Sequence, residues 1–361
     1  MKKVFITANL PGKSVELLKR DFHVEVFPEE RSPTQDEILQ GAKDAHALIT
    51  MVADRIDKNI IDACPDLTVI SNCGVGYENI DVSYATRKGI FVTNTPGVLT
   101  ETTADLVWAL IFSVARRIVE GDSFVRERKF VGWRPTLLLG VNIHGKTLGI
   151  YGMGRIGTAV ARRAMGFDMQ VIYHSRKKNE EAEKETGAKH VDFPTLLQES
   201  DFIVITAPLN EESRGRFGLA EFRKMKASSV LVNVGRGQII KEKELSLALK
   251  EGIIWGAGLD VYEREPIIEE ELLKLTSVVL LPHLGSASRE TREKMAEMAV
   301  ESVIQTLNGK TPRNLVNPEV LDIRSGRTGG PPLQSSYHDE RLGRGFLPPV
   351  NFCIVLKTSL S

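Results

Sequence analysis

Gly152-Met153-Gly154-Arg155-Ile156-Gly157 stands between the apolar run Thr147 to Tyr151 and a helix-like stretch, TAVARRAMGF. A G-x-G-x-x-G in that setting constrains the fold more than any other feature, because each glycine has its own task. Gly152 permits a tight turn, Gly154 lets backbone amides approach a pyrophosphate, and Gly157 lets the helix pack closely on the strand. Arg155 and Ile156 open the helix, whose N-terminal donors and dipole favour the same anion. Alone the pattern is weak, but here its strand, turn, helix context is met and predicts a nucleotide-binding βαβ unit.

The rest of the chain repeats the same alternation. KVFIT, HVEVF, ALITM, TVISNC and FVTN read as short strands, and SVELLKRD, TQDEILQGAKD, DKNIIDAC and DVSYATRKG read as the helices between them. A second series runs through TLGIY, MQVIYH, DFIVITAPL, SSVLVNV, IIWGAGLDVY and SVVLLPH, with the continuous apolar strands expected where both faces are covered. Strand and helix in alternation predict an α/β chain with two doubly wound parallel sheets. Between the series, Thr100 to Val119 predicts one long helix opening on Thr and Glu, and SRETREKMAEMAVESVIQTLNG predicts another that returns to the first lobe. Nine of residues 324–361 are Gly or Pro and no period persists there, so this segment is expected to be a disordered tail, with NFCIVLK as an alternative edge strand.

Composition excludes several partners. Lys plus Arg and Asp plus Glu are both 47, so no basic field exists to hold nucleic acid or an anionic membrane. The N-terminal apolar run is too short for a signal segment and no run approaches a membrane span, so no membrane association is expected. Cys64, Cys73 and Cys353 form neither a disulfide framework nor a paired metal motif, which fits the cytoplasm and predicts no metal site.

An NAD-specific site places an acid after the second strand of the nucleotide unit, for the ribose hydroxyls. Here that strand ends in Ser175-Arg176-Lys177-Lys178. A carboxylate would repel a 2′-phosphate, whereas Ser175 can donate to it and Arg176 and Lys177 can neutralise it. NADP, as NADPH, is therefore expected to be preferred, with NAD also usable.

Three charged residues follow predicted strands of the second series: Arg236 after SSVLVNV, Glu265 after GLDVYER and His283 after VVLLP. Imidazolium is the side chain best suited to donating a proton to a carbonyl near neutrality. A carboxylate beside it fixes the ring and favours the charged form, a role within reach of Glu265. The planar fork of Arg236 suits a substrate carboxylate better than a lysine would.

With these motifs in order, the chain resembles the D-isomer-specific 2-hydroxyacid dehydrogenases, and within them the glyoxylate and hydroxypyruvate reductases. The resemblance runs from about Lys3 to Val320 on GVGYENID, NTPGVLTETTAD, GMGRIG, NVGRG, GAGLDVYEREP and PHLGSAS. It implies a Rossmann cofactor domain, residues 100–285, inserted in a flavodoxin-like substrate domain formed by 1–99 and 286–323. It implies Arg236, Glu265 and His283 as the catalytic trio, the amides of Val75 and Gly76 on the substrate carboxylate, and Ser286 near substrate. Thr103, Ala207, Pro208, Val234, Asp260 and Gly285 would border the cofactor. It further implies a homodimer through the Thr100 helix region, with Trp133 in the dimer arm, on the substrate side or in packing. The alternatives that the sequence leaves open are 2-ketogluconate reduction, phosphoglycerate oxidation, and a nucleotide-sensing protein like the C-terminal-binding corepressors, which share the fold.

Overall fold

The computed structural model describes residues 1–326, and NFCIVLK lies outside them. The first sheet contains β1 (Lys3–Ile6), β2 (His23–Val26), β3 (Ala47–Met51), β4 (Val69–Cys73) and β5 (Phe91–Thr93), in the order β2-β1-β3-β4-β5. The second contains β6 (Thr147–Tyr151), β7 (Gln170–His174), β8 (Lys189–His190), β9 (Phe202–Ile205), β10 (Val230–Asn233), β11 (Gly256–Leu259) and β12 (Val278–Leu280). Its order is β12-β11-β10-β9-β6-β7-β8. Strands in both sheets pair in parallel, giving a flavodoxin-like order in the first and a Rossmann order in the second. Burial follows the apolar runs. Every residue of β9, β10 and β11 is buried, whereas the edge strand β2 alternates exposed and half-buried positions.

Each sheet is covered on both faces by separate apolar clusters. The helix Arg289–Leu307 lies on the first sheet, burying Ala296, Ala299, Val300 and Val303 beside Val4, Ile49 and Val69. Ser71 Oγ of β4 donates to its Ala299 carbonyl at 3.0 Å, a polar tie inside that packing. The helix Thr100–Ala115 lies on the second sheet, where a Cβ on Gly258 would sit 3.0 Å from Leu110.

Two sequence expectations need correction. The long helix from Thr100 to Val119 is broken: it ends at Ala115, Arg117 takes a left-handed φ of 52°, and a second helix runs Ile118–Arg126. Apolar periodicity survives the break, which is why the sequence does not reveal it. Nor do Thr100 and Glu101 cap the helix, since Leu99 holds the cap position without a side-chain bond. Arg324, expected to open the tail, is ordered in the fold. Arg324 closes the helix Val320–Arg324, donates to the Gly89 carbonyl at 2.7 Å and stacks 4.6 Å from the Phe91 ring. Among the described residues no helix is long and apolar enough to cross a membrane.

Candidate active site

The carboxyl ends of both sheets bring the motifs together, beginning with the glycine turn after β6. Gly152 has φ 106°, where L side chains are strained, and a Cβ there would lie 2.6 Å from the Ala207 nitrogen. A Cβ on Gly157 would lie 2.4 Å from the Gly152 carbonyl oxygen, so the helix Arg155–Ala164 can approach β6 only with glycine there. Gly154 is different: among the described residues, nothing beyond its own chain neighbours lies within 4 Å of where its Cβ would be. Above it the backbone is open to a ligand. The amides of Arg155, Ile156 and Gly157 begin the helix and have no intrahelical acceptor. Open backbone, free donors and the positive helix end fit a dinucleotide pyrophosphate. Arg155 is exposed beside them, Ile156 packs partly on the core, and Ala207, Pro208 and Val234 leave β9 and β10 at the same sheet end.

The turn after β7 differs from its expected form. Ser175 Oγ donates to the Lys177 carbonyl at 2.6 Å, so the proton assigned to a phosphate instead closes the turn. Lys178 is committed to Glu183 at 3.0 Å. Arg176 and Lys177 are exposed and, among the described residues, neither makes an ion pair, so they carry the free positive charge of this turn.

His283 and Glu265 come from different strand-end loops, and His283 Nδ1 lies 2.9 Å from Glu265 Oε2. The ring is held through its backbone as well. His283 takes φ 56°, uncommon outside glycine, and its amide donates to the Asp260 carbonyl at 3.0 Å. The next two amides, Leu284 and Gly285, donate to the Asp260 carboxylate at 2.6 and 2.8 Å, while Thr103 Oγ1 donates to the Gly285 carbonyl at 3.0 Å. Asp260 is 1% exposed with both oxygens engaged. Its carboxylate therefore ties down the loop that carries His283. Ser286 follows on that loop, half-buried.

The two acids are driven in opposite directions. Burial pushes Glu265 up, but the hydrogen bond and charge of His283, the Tyr262 amide at 3.0 Å and the charge of Arg236 outweigh it and hold its carboxyl below the ordinary range. Burial raises Asp260, and the Leu284 amide and the His283 charge only partly offset it. A carboxyl lowered in the fold stabilises the native state above its unfolded value and loses that stabilisation as pH falls through the lowered one. Glu265→Gln is therefore expected to melt below the parent at neutral pH, with the gap closing as pH drops below the ordinary value of 4.5. Melting curves across that range check this, and a gap independent of pH would contradict it.

Arg236, after β10, reaches across to the loop following β4. Its Nη1 donates to the Gly235 carbonyl at 2.8 Å and its Nη2 to Glu78 Oε2 at 3.2 Å. A Cβ on Gly76 would lie 1.5 Å from Nη2, so the guanidinium rests directly on glycine backbone. The loop is well anchored. Asn94 Nδ2 donates to the Val75 carbonyl at 2.8 Å, Asn72 Nδ2 to the Gly76 carbonyl at 2.6 Å, and Asn79 Nδ2 to the carbonyls of Met51 and Asp54 at 3.1 and 2.8 Å. With their carbonyls held, the amides of Val75 and Gly76 have no protein acceptor among the described residues. Two free amides beside a guanidinium suit a carboxylate.

The sequence reading named Arg236, Val75 and Gly76 but gave no role to Glu78, Asn72, Asn79 or Asn94. Glu78 and Asn79 lie inside the GVGYENID motif, which was the available signal. Their partners are remote in sequence, and local patterning does not disclose them.

A dinucleotide turn, a paired imidazole and carboxylate, and a guanidinium over free amides define the class of two-lobed nicotinamide-dependent dehydrogenases. Residues 108–285 match the model for the D-isomer specific 2-hydroxyacid dehydrogenase NAD binding domain. A glyoxylate reductase of Thermococcus kodakarensis is 49% identical over 326 residues, covering 89% of this chain and 98% of the relative. The crystal structure of a Thermus thermophilus protein superposes with a TM-score of 0.82 at 41% identity, covering 87% of this chain and 99% of that one. The NADPH-dependent glyoxylate/hydroxypyruvate reductase of Sinorhizobium meliloti, solved with NADP and malonate, gives 0.77 at 29% identity, covering 88% and 97%. The chain belongs to the D-isomer-specific 2-hydroxyacid dehydrogenase family.

Proposed function

We propose that the protein reduces a small 2-keto acid, glyoxylate or hydroxypyruvate, to the D-2-hydroxy acid with NADPH. The observation that carries this reading is the His283 and Glu265 pair at 2.9 Å, near enough to Arg236 for its charge to act on Glu265, with that guanidinium resting on Gly76. The glyoxylate reductase relatives support the substrate class.

The bound reduced nicotinamide would supply the hydride, with the glycine turn and the amides of Arg155 to Gly157 holding its pyrophosphate. His283 donates a proton to the oxygen that becomes the hydroxyl, and Glu265, kept ionised, orients the ring and stabilises its charged form. Arg236 and the amides of Val75 and Gly76 grip the carboxylate, which fixes the carbonyl between the lobes and supplies the orientation term. The decisive assay measures kcat/KM for glyoxylate, hydroxypyruvate, pyruvate and 2-ketogluconate, each with NADPH and NADH. The first two with NADPH should lead, and a clear lead for 2-ketogluconate would redirect the substrate assignment.

NADPH preference rests on Arg176 and Lys177, since the Ser175 hydroxyl is used in the turn. Removing one charge-assisted bond costs about 1.5–3 kcal/mol, or roughly ten- to a hundredfold. Arg176→Ala is expected to raise KM for NADPH by about that factor and leave KM for NADH unchanged. Equal losses with both cofactors would remove the turn from selectivity.

The protein is further proposed to be a cytoplasmic homodimer. The helix Ile118–Arg126 buries none of its own residues, and Ile118, Val119, Val125, Phe130, Val131 and Trp133 are all exposed. An exposed apolar arm of this size fits a covering subunit, and light scattering should return twice the mass of one chain.

A further inference from the structure

The guanidinium that the proposed reaction needs for a substrate carboxylate is already paired with a carboxylate of the chain itself. Glu78 Oε2 lies 3.2 Å from Arg236 Nη2, and the point where a Gly76 Cβ would sit is 2.6 Å from the same oxygen. The Glu78 carboxylate, Arg236 and the backbone of Gly76 thus share one small volume, next to the free amide donors of Val75 and Gly76. Among the described residues this is the ion pair that joins the flavodoxin-like lobe to the Rossmann lobe. The Glu78 side chain is 42% exposed and that of Arg236 28%, so the pair is accessible to solvent and exchangeable rather than a locked internal bridge.

We infer that Glu78 stands in for the substrate carboxylate, holding Arg236 across the cleft between turnovers and yielding it when a 2-keto acid arrives. Three consequences follow from the charges. Arg236 stays extended over Gly76, so no search for its working position precedes binding. An arriving anion must displace one carboxylate from the guanidinium and then lie near it, and like charges at that range repel. A ligand that also engages the Val75 and Gly76 amides has the extra donors needed to win the exchange, whereas an anion that meets only the guanidinium has not. Glu78 is therefore a positioning residue that filters anions, set against substrate affinity and outside the proton-transfer step. The inference rests on the reading of Arg236 as the carboxylate clamp.

The test compares the parent with Glu78→Gln, which keeps shape and hydrogen-bonding reach but removes the charge. Two readouts are needed: steady-state kinetics with glyoxylate and NADPH, and calorimetric binding of oxamate, an unreactive 2-keto acid mimic, to the protein with NADPH bound. Loss of the competing carboxylate is expected to lower KM for glyoxylate and Kd for oxamate by about two- to fivefold, with kcat within about threefold of the parent. A rise in KM together with weaker oxamate binding would mean that Glu78 only props up Arg236, and would overturn the inference. Unchanged values, or no oxamate binding to either protein, would overturn it as well. If Glu78→Gln does not fold, Glu78→Ala tests the same loss of charge. Tighter oxamate binding without glyoxylate turnover by the parent would uphold the role of Glu78 while refuting the proposed substrate, so the two failures are distinguishable.

Discussion

Replacing His283 by Ala is expected to lower kcat by about a hundred- to ten-thousandfold, the usual contribution of a positioned general acid. The imidazole lies 2.9 Å from Glu265 on a loop whose amides make three hydrogen bonds to Asp260, so its ring is held in place for the transfer. NADPH binding should be retained, because the glycine turn after β6 and the turn after β7 belong to other elements. Fluorescence titration of NADPH beside single-turnover kinetics separates the two effects. Near-parental turnover in His283→Ala would remove it from the mechanism. Loss of NADPH binding would show that its role is structural.

Arg236→Lys is expected to reduce kcat/KM for the keto acid by about ten- to a thousandfold, mostly through KM. A lysine presents one compact charge where the guanidinium presents a planar fork. In this fold the fork does two things at once: Nη1 holds the Gly235 carbonyl at 2.8 Å while Nη2 lies over Gly76. An ammonium cannot span both. Losing one or two charge-assisted bonds at about 1.5–3 kcal/mol each spans roughly ten- to 25,000-fold, and the exposure of the side chain confines the expected loss to the lower part of that span. A short aldehyde without a carboxylate is the control, since its slow reduction should be little affected. Equal losses for both substrates would contradict the clamp.

Much of this architecture is legible in the sequence because parallel α/β folds write themselves in local patterns. ALITM, FIVI and VLVN are continuous apolar runs that make sense only as strands covered on both faces, and Gly152 and Gly157 have no room for a side chain. What escapes is what depends on three-dimensional competition. Arg117 breaks a helix whose apolar period continues through the break. Ser175 has the right chemistry for a phosphate, yet its hydroxyl donates instead to a carbonyl two residues away. The two amide hydrogen bonds by which Asp260 holds the His283 loop join residues 24 and 25 positions apart, beyond any local pattern. Glu78 meets Arg236 across 158 residues of chain, a pairing that no window on the sequence can display.

In the proposed reaction the hydride reaches one face of a 2-keto acid while His283 protonates the oxygen. Product chirality tests it most directly. Hydroxypyruvate incubated with NADPH and the protein should yield D-glycerate, with one NADPH oxidised per molecule formed. L-glycerate, a racemic product, or no NADPH oxidation with either hydroxypyruvate or glyoxylate would contradict the account.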